Sequence, residues 1–132
     1  MAERPFPLEF SSLVVDTRPR CCLALPAGFA SSASANIESP VFATTPQALL
    51  DAFKAAGLAE ARTELVREGE GQIELVQRSA LFKFPDYITA AAVSVEGGAA
   101  LCVYSRAVIG YSDLGVNTKR VNRWLSATNA QF

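Results

Sequence analysis

The amino-acid sequence predicts an α+β domain in which two helices pack on one face of an antiparallel β-sheet of about five strands. Two segments, 46–56 and 117–128, carry apolar residues at helical spacing, and the region 62–106 between them alternates with a period of two. Connections within 62–106 are short and rich in glycine, which favours antiparallel pairing in a meander of four strands. Both helices need a partner for their apolar stripes, and the sheet provides it. The 132 residues fit one domain, 1–132.

The N-terminal region predicts two strands followed by a long loop. Residues 8–15 mix aromatic, β-branched and small side chains, which is typical of a strand, and residues 21–25 form a second short apolar run before Pro26. Residues 27–44 are rich in serine and alanine without a clear period, so we expect a loop there. A loop of this length within a small domain is either functional or mobile.

The first helix has a clear start. Thr45 is suited to cap the helix N-terminus, and Pro46 follows at the first helical position. Leu49 and Phe53 continue at helical spacing, and Gly57 is predicted to end the helix.

The alternating region predicts a central strand at residues 87–95, because both of its faces carry small or apolar side chains. Five glutamates around the first hairpin are expected to form a solvated face: Glu60, Glu64, Glu68, Glu70 and Glu74. The final helix, 117–128, is amphipathic, with Val121, Trp124, Leu125 and Thr128 on its apolar stripe.

Composition excludes several classes of function. The 12 basic and 13 acidic residues give a net charge of −1, so we expect no nucleic-acid partner and no generic attraction to anionic membranes. No apolar run approaches the ~20 residues of a membrane-spanning helix. The chain has no histidine, which removes Ser-His-Asp triads and histidine metal ligands, and we expect no metal and no cofactor.

The three cysteines, Cys21, Cys22 and Cys102, include an adjacent pair and no Cys-x-x-Cys spacing, so they form no disulfide framework. The first residues contain no apolar run, so we expect no secretory leader segment. Together these observations predict a cytoplasmic protein.

Two stretches of the chain carry a longer motif. The first, 77–88, contains Phe84-Pro85-Asp86, and the second, 103–121, contains Ser105-Arg106 followed by Gly110-Tyr111-Ser112-Asp113-Leu114-Gly115-Val116-Asn117 and then Arg120. The chain resembles, over nearly its whole length, the bacterial family of domain of unknown function 1499. The family pattern has a second Ser-Arg pair where this chain has Ala107-Val108. The resemblance implies no particular activity.

The motif defines the candidate binding residues. They are Asp86, Ser105, Arg106, Gly110, Ser112, Asp113, Gly115, Asn117 and Arg120. Asp113 or Asn117 is the predicted cap of the last helix, and Gly115 is suited to a positive φ. The basic start of this helix, with Lys119, opposes the helix dipole and calls for a negative charge nearby. Either acids of the chain or a bound anion could supply it, and Asp86, Arg106, Asp113 and Arg120 could instead form one internal salt-bridge network.

Three functions fit these features. The first is a small non-enzymatic binding or interaction domain, whose partner or small anionic or small-molecule ligand would contact the start of the last helix and the 31–39 loop. The second is a hydrolase-like enzyme with a centre formed by Ser105, Arg106 and Asp113. The third is an apolar-ligand pocket between sheet and helix, where Ala90, Ala91, Ala92, Ala99 and Ala100 leave room or else mark close packing. The absence of histidine favours the first. The sequence does not set an oligomeric state.

Overall fold

A computed structural model describes residues 4–132 and shows a six-stranded sheet with two helices on one of its faces. In chain order the elements are a 3₁₀ turn at Phe10–Ser12, β1 (Cys21–Pro26), β2 (Ile37–Ser39), α1 (Pro46–Leu58), β3 (Thr63–Gly69), β4 (Gln72–Arg78), β5 (Pro85–Val95), β6 (Gly98–Ala107) and α2 (Val116–Asn129). The α+β class predicted from the sequence is therefore confirmed.

The sheet is mixed rather than strictly antiparallel. Its strand order is β2-β1-β6-β5-β4-β3, with β3 to β6 forming an antiparallel meander in which β5 lies centrally. β1 adds antiparallel to β6, but β2 pairs parallel to β1. The prediction of about five antiparallel strands was wrong in both number and direction. β2 has only three residues inside the region predicted as loop, too few to show a period, and the long connection before it permits parallel pairing.

Residues 8–15 do not form the predicted strand. Instead they cross the sheet face opposite the helices, where Leu8, Phe10 and Leu13 bury a second hydrophobic cluster. Their backbone is held by side chains: the Gln72 amide exchanges two hydrogen bonds of 2.7 Å with the N–H and C=O of Leu8. The apolar side chains of this segment are buried, as those of a strand would be, but its backbone joins none of the six strands of the described sheet.

Both helices pack on the other face around Trp124. Thr45 Oγ1 accepts a hydrogen bond from Ala48 N (3.2 Å), as expected of the helix cap. Gly57 does not end α1, which continues to Leu58. A Cβ atom at Gly57 would lie 2.9 Å from Trp124 Cζ3, so glycine is needed here for close packing of the two helices.

Candidate functional site

The two motif segments meet at one end of the sheet, which we call the motif end. Here Arg78 of β4 pairs with Pro85 of β5, and Asp86 pairs with Ala107 of β6. The connections 79–84 and 108–115 therefore leave adjacent strands at the same end, and the second of them leads directly into α2.

Arg120 is the centre of the hydrogen-bond network at this end. The residue is 4% exposed. Its Nη1 lies 3.0 Å from Asp86 Oδ2 and donates to Asn117 Oδ1 at 2.6 Å, and its Nε donates to Gln77 Oε1 at 2.7 Å. These contacts tie the first turns of α2 to β4 and β5.

Asn117 and Ser105 complete the buried part of the network. The Ser105 hydroxyl lies 2.5 Å from Asn117 Oδ1 and both residues are fully buried. Asn117 Nδ2 donates to Asp113 Oδ2 (2.8 Å) and to the carbonyl of Arg20 (3.1 Å). A single amide side chain thus connects the end of β6, the start of β1 and the loop before α2.

Asp113 supplies the negative charge that the basic helix start requires. Its carboxylate accepts hydrogen bonds of 2.9 Å from the backbone N–H groups of Gly115 and Asn117. Gly115 is the residue preceding the helix and has φ +82°, the left-handed conformation that the sequence predicted. Two amides at this helix end are therefore satisfied by Asp113, whose carboxylate supplies the negative charge that a bound anion would otherwise provide.

Two further motif residues shape the loop. Ser112 Oγ accepts a hydrogen bond from the N–H of Leu114 (3.1 Å), and the Gly110 carbonyl accepts one from Arg20 Nη1 (3.0 Å). Both residues are exposed, so their role in the structure is to hold the loop.

Arg106 does not join this network. Successive residues of a strand point to opposite faces, so Ser105 faces α2 while Arg106 faces the N-terminal segment. There Arg106 Nη1 donates to Thr89 Oγ1 (2.8 Å) and to the Tyr104 carbonyl (3.0 Å). The proposed salt-bridge network thus loses Arg106, and the hydrolase-like centre of Ser105, Arg106 and Asp113 does not converge.

The true partner of Arg106 is a buried glutamate that sequence reasoning missed. Glu74 was expected on a solvated face but is fully buried, with Arg67 Nε at 2.8 Å, Arg4 Nε at 2.9 Å and Arg106 Nη2 at 3.6 Å from its carboxylate. The Arg4 guanidinium also lies 3.3 Å above the Tyr87 ring. The available signal was the apolar run around position 74, which marks a strand buried on both faces.

A cleft of about 540 Å³ opens beside the motif network, and we call it the motif cleft. Its lining comes from the connection after α1, from β4, β5 and β6, from the 79–84 and 108–115 connections and from α2. The lining residues are Glu60, Ala61, Arg62, Gln77, Arg78, Ser79, Phe84, Asp86, Ala107, Ile109, Ser112, Asp113, Val116, Arg120 and Arg123. Four members of the network, Gln77, Asp86, Asp113 and Arg120, therefore line a solvent-accessible cleft, whereas Ser105 and Asn117 do not.

Burial and ion pairing shift the pKa values of the charged groups of the cleft in opposite directions. Burial raises the pKa of Asp86 and the attraction of Arg120 offsets this only in part, while burial also lowers the pKa of Arg120. By contrast, hydrogen bonds from Arg123 lower the pKa of Glu60 to about 2. Burial raises the pKa of Asp113, but the bonds from Asn117 and Gly115 outweigh it and leave the pKa below its ordinary value.

The other sequence predictions concern regions away from the cleft. Residues of the 31–39 loop pack against the N-terminal segment, where Ser31 Oγ donates to the Phe10 carbonyl (2.6 Å) on the face opposite the helices. This loop and the start of α2 do not form one ligand surface. Ala90 and Ala99 belong to the same buried cluster as Phe53 and Trp124, which agrees with close helix–sheet packing.

Among residues 4–132, no three His, Cys, Asp or Glu side chains come together as a metal site would require. Within that same range, neither helix has the length and apolar character needed to cross a membrane.

Comparison with known proteins identifies a family. No curated protein and no solved structure matches the chain. The family model described as "Protein of unknown function (DUF1499)" matches residues 12–127, which is nearly the whole sequence. The chain belongs to the DUF1499 family.

Proposed function

We propose that this protein is a non-enzymatic binding domain whose motif cleft holds a small organic molecule with an anionic group and an apolar part. The observation that carries this proposal is Arg120. Its Nε and Nη1 are fully engaged, whereas its Nη2 donates to no atom of residues 4–132, although the side chain forms part of the cleft wall. A guanidinium fixed on one side and free on the other is suited to bind an oxyanion.

The remaining charges of the cleft also favour an anion. Glu60 pairs with Arg123 at 2.8 Å, Asp86 pairs with Arg120, and Asp113 is bonded to backbone amides. Two further arginines line the cleft, Arg62 and Arg78, and within the described range neither lies within 4.0 Å of a carboxylate. The uncompensated charge of the cleft is therefore positive.

Another part of the wall is apolar. Phe84, Ile109 and Val116 line the cleft, and each is about half exposed. The volume of about 540 Å³ lies within the range of roughly 300–1,000 Å³ that small-molecule sites occupy. An apolar ligand portion would cover these side chains while its charged group meets the arginines.

The geometry gives no support to hydrolysis. The Ser105 hydroxyl is fully buried and bonded to Asn117, so it is not presented to a substrate in the cleft. No histidine exists to act as a general base.

A ligand screen by thermal shift tests the proposal. We would compare linear alkyl carboxylates and alkyl phosphates with alcohols of the same chain length, using wild type, Arg78→Gln and Ile109→Ser. These two positions are exposed, so their variants should fold normally. At 100 times its Kd, a ligand should stabilise the wild type by about 2.7 kcal/mol, and both variants should respond less.

The matched control is Val66→Ser, which removes a comparably exposed apolar side chain on β3, outside the cleft. Its response should equal that of the wild type. The proposal is wrong if no anionic amphiphile shifts the wild-type midpoint, or if the cleft variants and Val66→Ser respond alike.

We also propose a reducing, cytoplasmic setting. The support is that Cys21, Cys22 and Cys102 are all free thiols. Burial raises the pKa of Cys102 to about 12 and also raises the pKa of the adjacent pair, which disfavours the reactive thiolate form of all three.

A further inference from the structure

The exposed apolar side chains of the protein are concentrated at the motif end. Of thirteen exposed large hydrophobic residues in the described range, eight lie in the two segments 81–84 and 108–116. Apolar side chains scattered singly over a surface are ordinary, but such a concentration at one end marks an interaction site.

Five of these eight residues lie outside the motif cleft, and we call them the apolar rim: Leu81, Phe82, Val108, Tyr111 and Leu114. Leu81 is 79% exposed and Leu114 is 86% exposed, so almost their entire side chains face solvent. The rim therefore borders the cleft but does not form its wall.

The loops that carry the rim are fixed by hydrogen bonds of their own. In the first loop, Ser79 N donates to the Phe84 carbonyl and Phe84 N donates to Ser79 Oγ, both at 3.0 Å. In the second, Leu114 has φ +55°, which is unfavourable for a bulky residue, and Ser112 Oγ accepts its N–H. Both loops thus hold large apolar side chains outward rather than folding them onto the core.

Basic residues are also concentrated at the motif end. The segments at the motif end, 16–20, 59–62, 78–86 and 113–123, carry eight basic and four acidic residues, while the rest of the chain carries four basic and nine acidic ones. The four acids at the motif end are all engaged, by Arg20, Arg123, Arg120 and backbone amides. Lys83, which directly follows the rim residues of the first loop, is paired with no acid of the described chain.

We infer that the apolar rim docks the protein onto the surface of an anionic lipid bilayer. Aromatic and aliphatic side chains on two neighbouring loops can enter the interface, while the adjacent free cations meet lipid phosphates. A bilayer needs no complementary shape in the protein, which fits side chains that project separately. The near-zero net charge of the whole chain conceals this local positive field.

This inference does not depend on the proposed function, because the rim lies outside the cleft and docking does not require a ligand in it. The two proposals can fail separately. A rim variant that loses vesicle binding should still bind ligand in the cleft. A cleft variant that loses ligand binding should still bind vesicles.

Vesicle sedimentation tests the docking. Wild type should bind vesicles of phosphatidylcholine mixed with phosphatidylglycerol, bind vesicles of pure phosphatidylcholine much less, and release at high salt. The double variant Leu81→Ser, Phe82→Ser should lower the partition coefficient by about tenfold or more, and Lys83→Gln should lower it by about fivefold.

Val66→Ser is the control, since it removes an exposed apolar side chain far from the rim in sequence and should bind like wild type. Circular dichroism melting establishes that each variant is folded, and these exposed positions should leave the midpoint unchanged. A failure of the wild type to bind vesicles of either composition would overturn the inference and point to a protein partner instead. Vesicle binding that the rim substitutions leave unchanged would overturn it as well.

Discussion

Replacing Arg120 by methionine should destabilise the protein through the charge that it leaves behind. Methionine retains an unbranched apolar stem but removes the guanidinium. The carboxylate of Asp86, at a side-chain exposure of 15%, then keeps one donor within residues 4–132, Asn117 Nδ2 at 3.4 Å. Gln77 Oε1 and Asn117 Oδ1 also lose their bonds to the guanidinium.

The expected loss of stability follows from the burial of the Arg120–Asp86 ion pair. Removing one partner of a buried ion pair costs about 3–5 kcal/mol, and the partial exposure of Asp86 places this case near about 3 kcal/mol. For a domain of this size that corresponds to a melting midpoint lower by roughly 10 °C.

A double-mutant cycle gives the assay. Wild type, Arg120→Met, Asp86→Asn and the double variant would be unfolded in urea at pH 7. The double variant has no unpaired charge, so it should be more stable than Arg120→Met, with a coupling energy of about 1–3 kcal/mol. Because burial already raises the pKa of Asp86, the penalty of Arg120→Met should shrink at acidic pH as the unpaired carboxyl protonates.

The reasoning is refuted if the two single substitutions add without coupling, or if Arg120→Met costs less than about 1 kcal/mol at pH 7. Either result would mean that the network around Arg120 is not a buried structural contact and that its residues serve only the cleft.

Three further predictions concern other parts of the molecule. Glu74→Gln should lower the free energy of unfolding by about 3 kcal/mol, because three arginines lose their shared counter-charge. The control is Glu68→Gln, since the half-exposed Glu68 carboxylate pairs with Lys54, and it should cost less than about 0.5 kcal/mol in the same urea titrations. Equal costs for the two substitutions would show that burial of Glu74 does not matter. The pKa of Glu60, lowered to about 2, implies stabilisation that is present above the ordinary value of 4.5 and is lost as pH falls toward 2. Since Arg123 is half exposed, Glu60→Gln should lower stability by only about 1 kcal/mol at pH 7, and its melting curve should converge with that of the wild type near pH 2. Gly57→Ala should destabilise the protein by about 1 kcal/mol in the same titrations, because the clash with Trp124 outweighs the gain in helix propensity. The control is Gly69→Ala, which has open space around it and should be nearly neutral. A stabilised Gly57→Ala variant would show that the Trp124 ring shifts freely.

Local chemistry explains why much of the fold was predictable. The Thr45-Pro46 start of α1 and the left-handed Gly115 before α2 depend on neighbouring backbone atoms, so their residue types indicate them directly. The meander was also predictable, because two of its three hairpins are closed by two-residue turns and the third by the six residues 79–84. The short strand β2 was not, since its pairing depends on the distant β1.

Only part of the candidate site could be predicted, because its side chains come from segments that are distant in the sequence. The motif placed Asp86, Ser105, Asn117 and Arg120 among the candidates, and the structure brings these side chains together. Arg106 was grouped with them although strand alternation alone places it on the opposite face from Ser105. Gln77 lies in the first motif stretch but was not among the candidate residues, and Glu60 and Arg123, which also line the cleft, lie outside both stretches.

The sequence by itself determined the α+β class, the helix starts, the hairpins and the motif, because each depends on contacts within a few residues or on a repeating pattern of hydrophobicity. Only the tertiary structure decided that Glu74 is buried, that residues 8–15 cover a sheet face without pairing, and that segments rich in basic residues meet at the motif end. These features depend on which distant segment meets each face of a strand. An alternating pattern shows that a residue points to one of two faces, but the partner that covers that face comes from elsewhere in the chain.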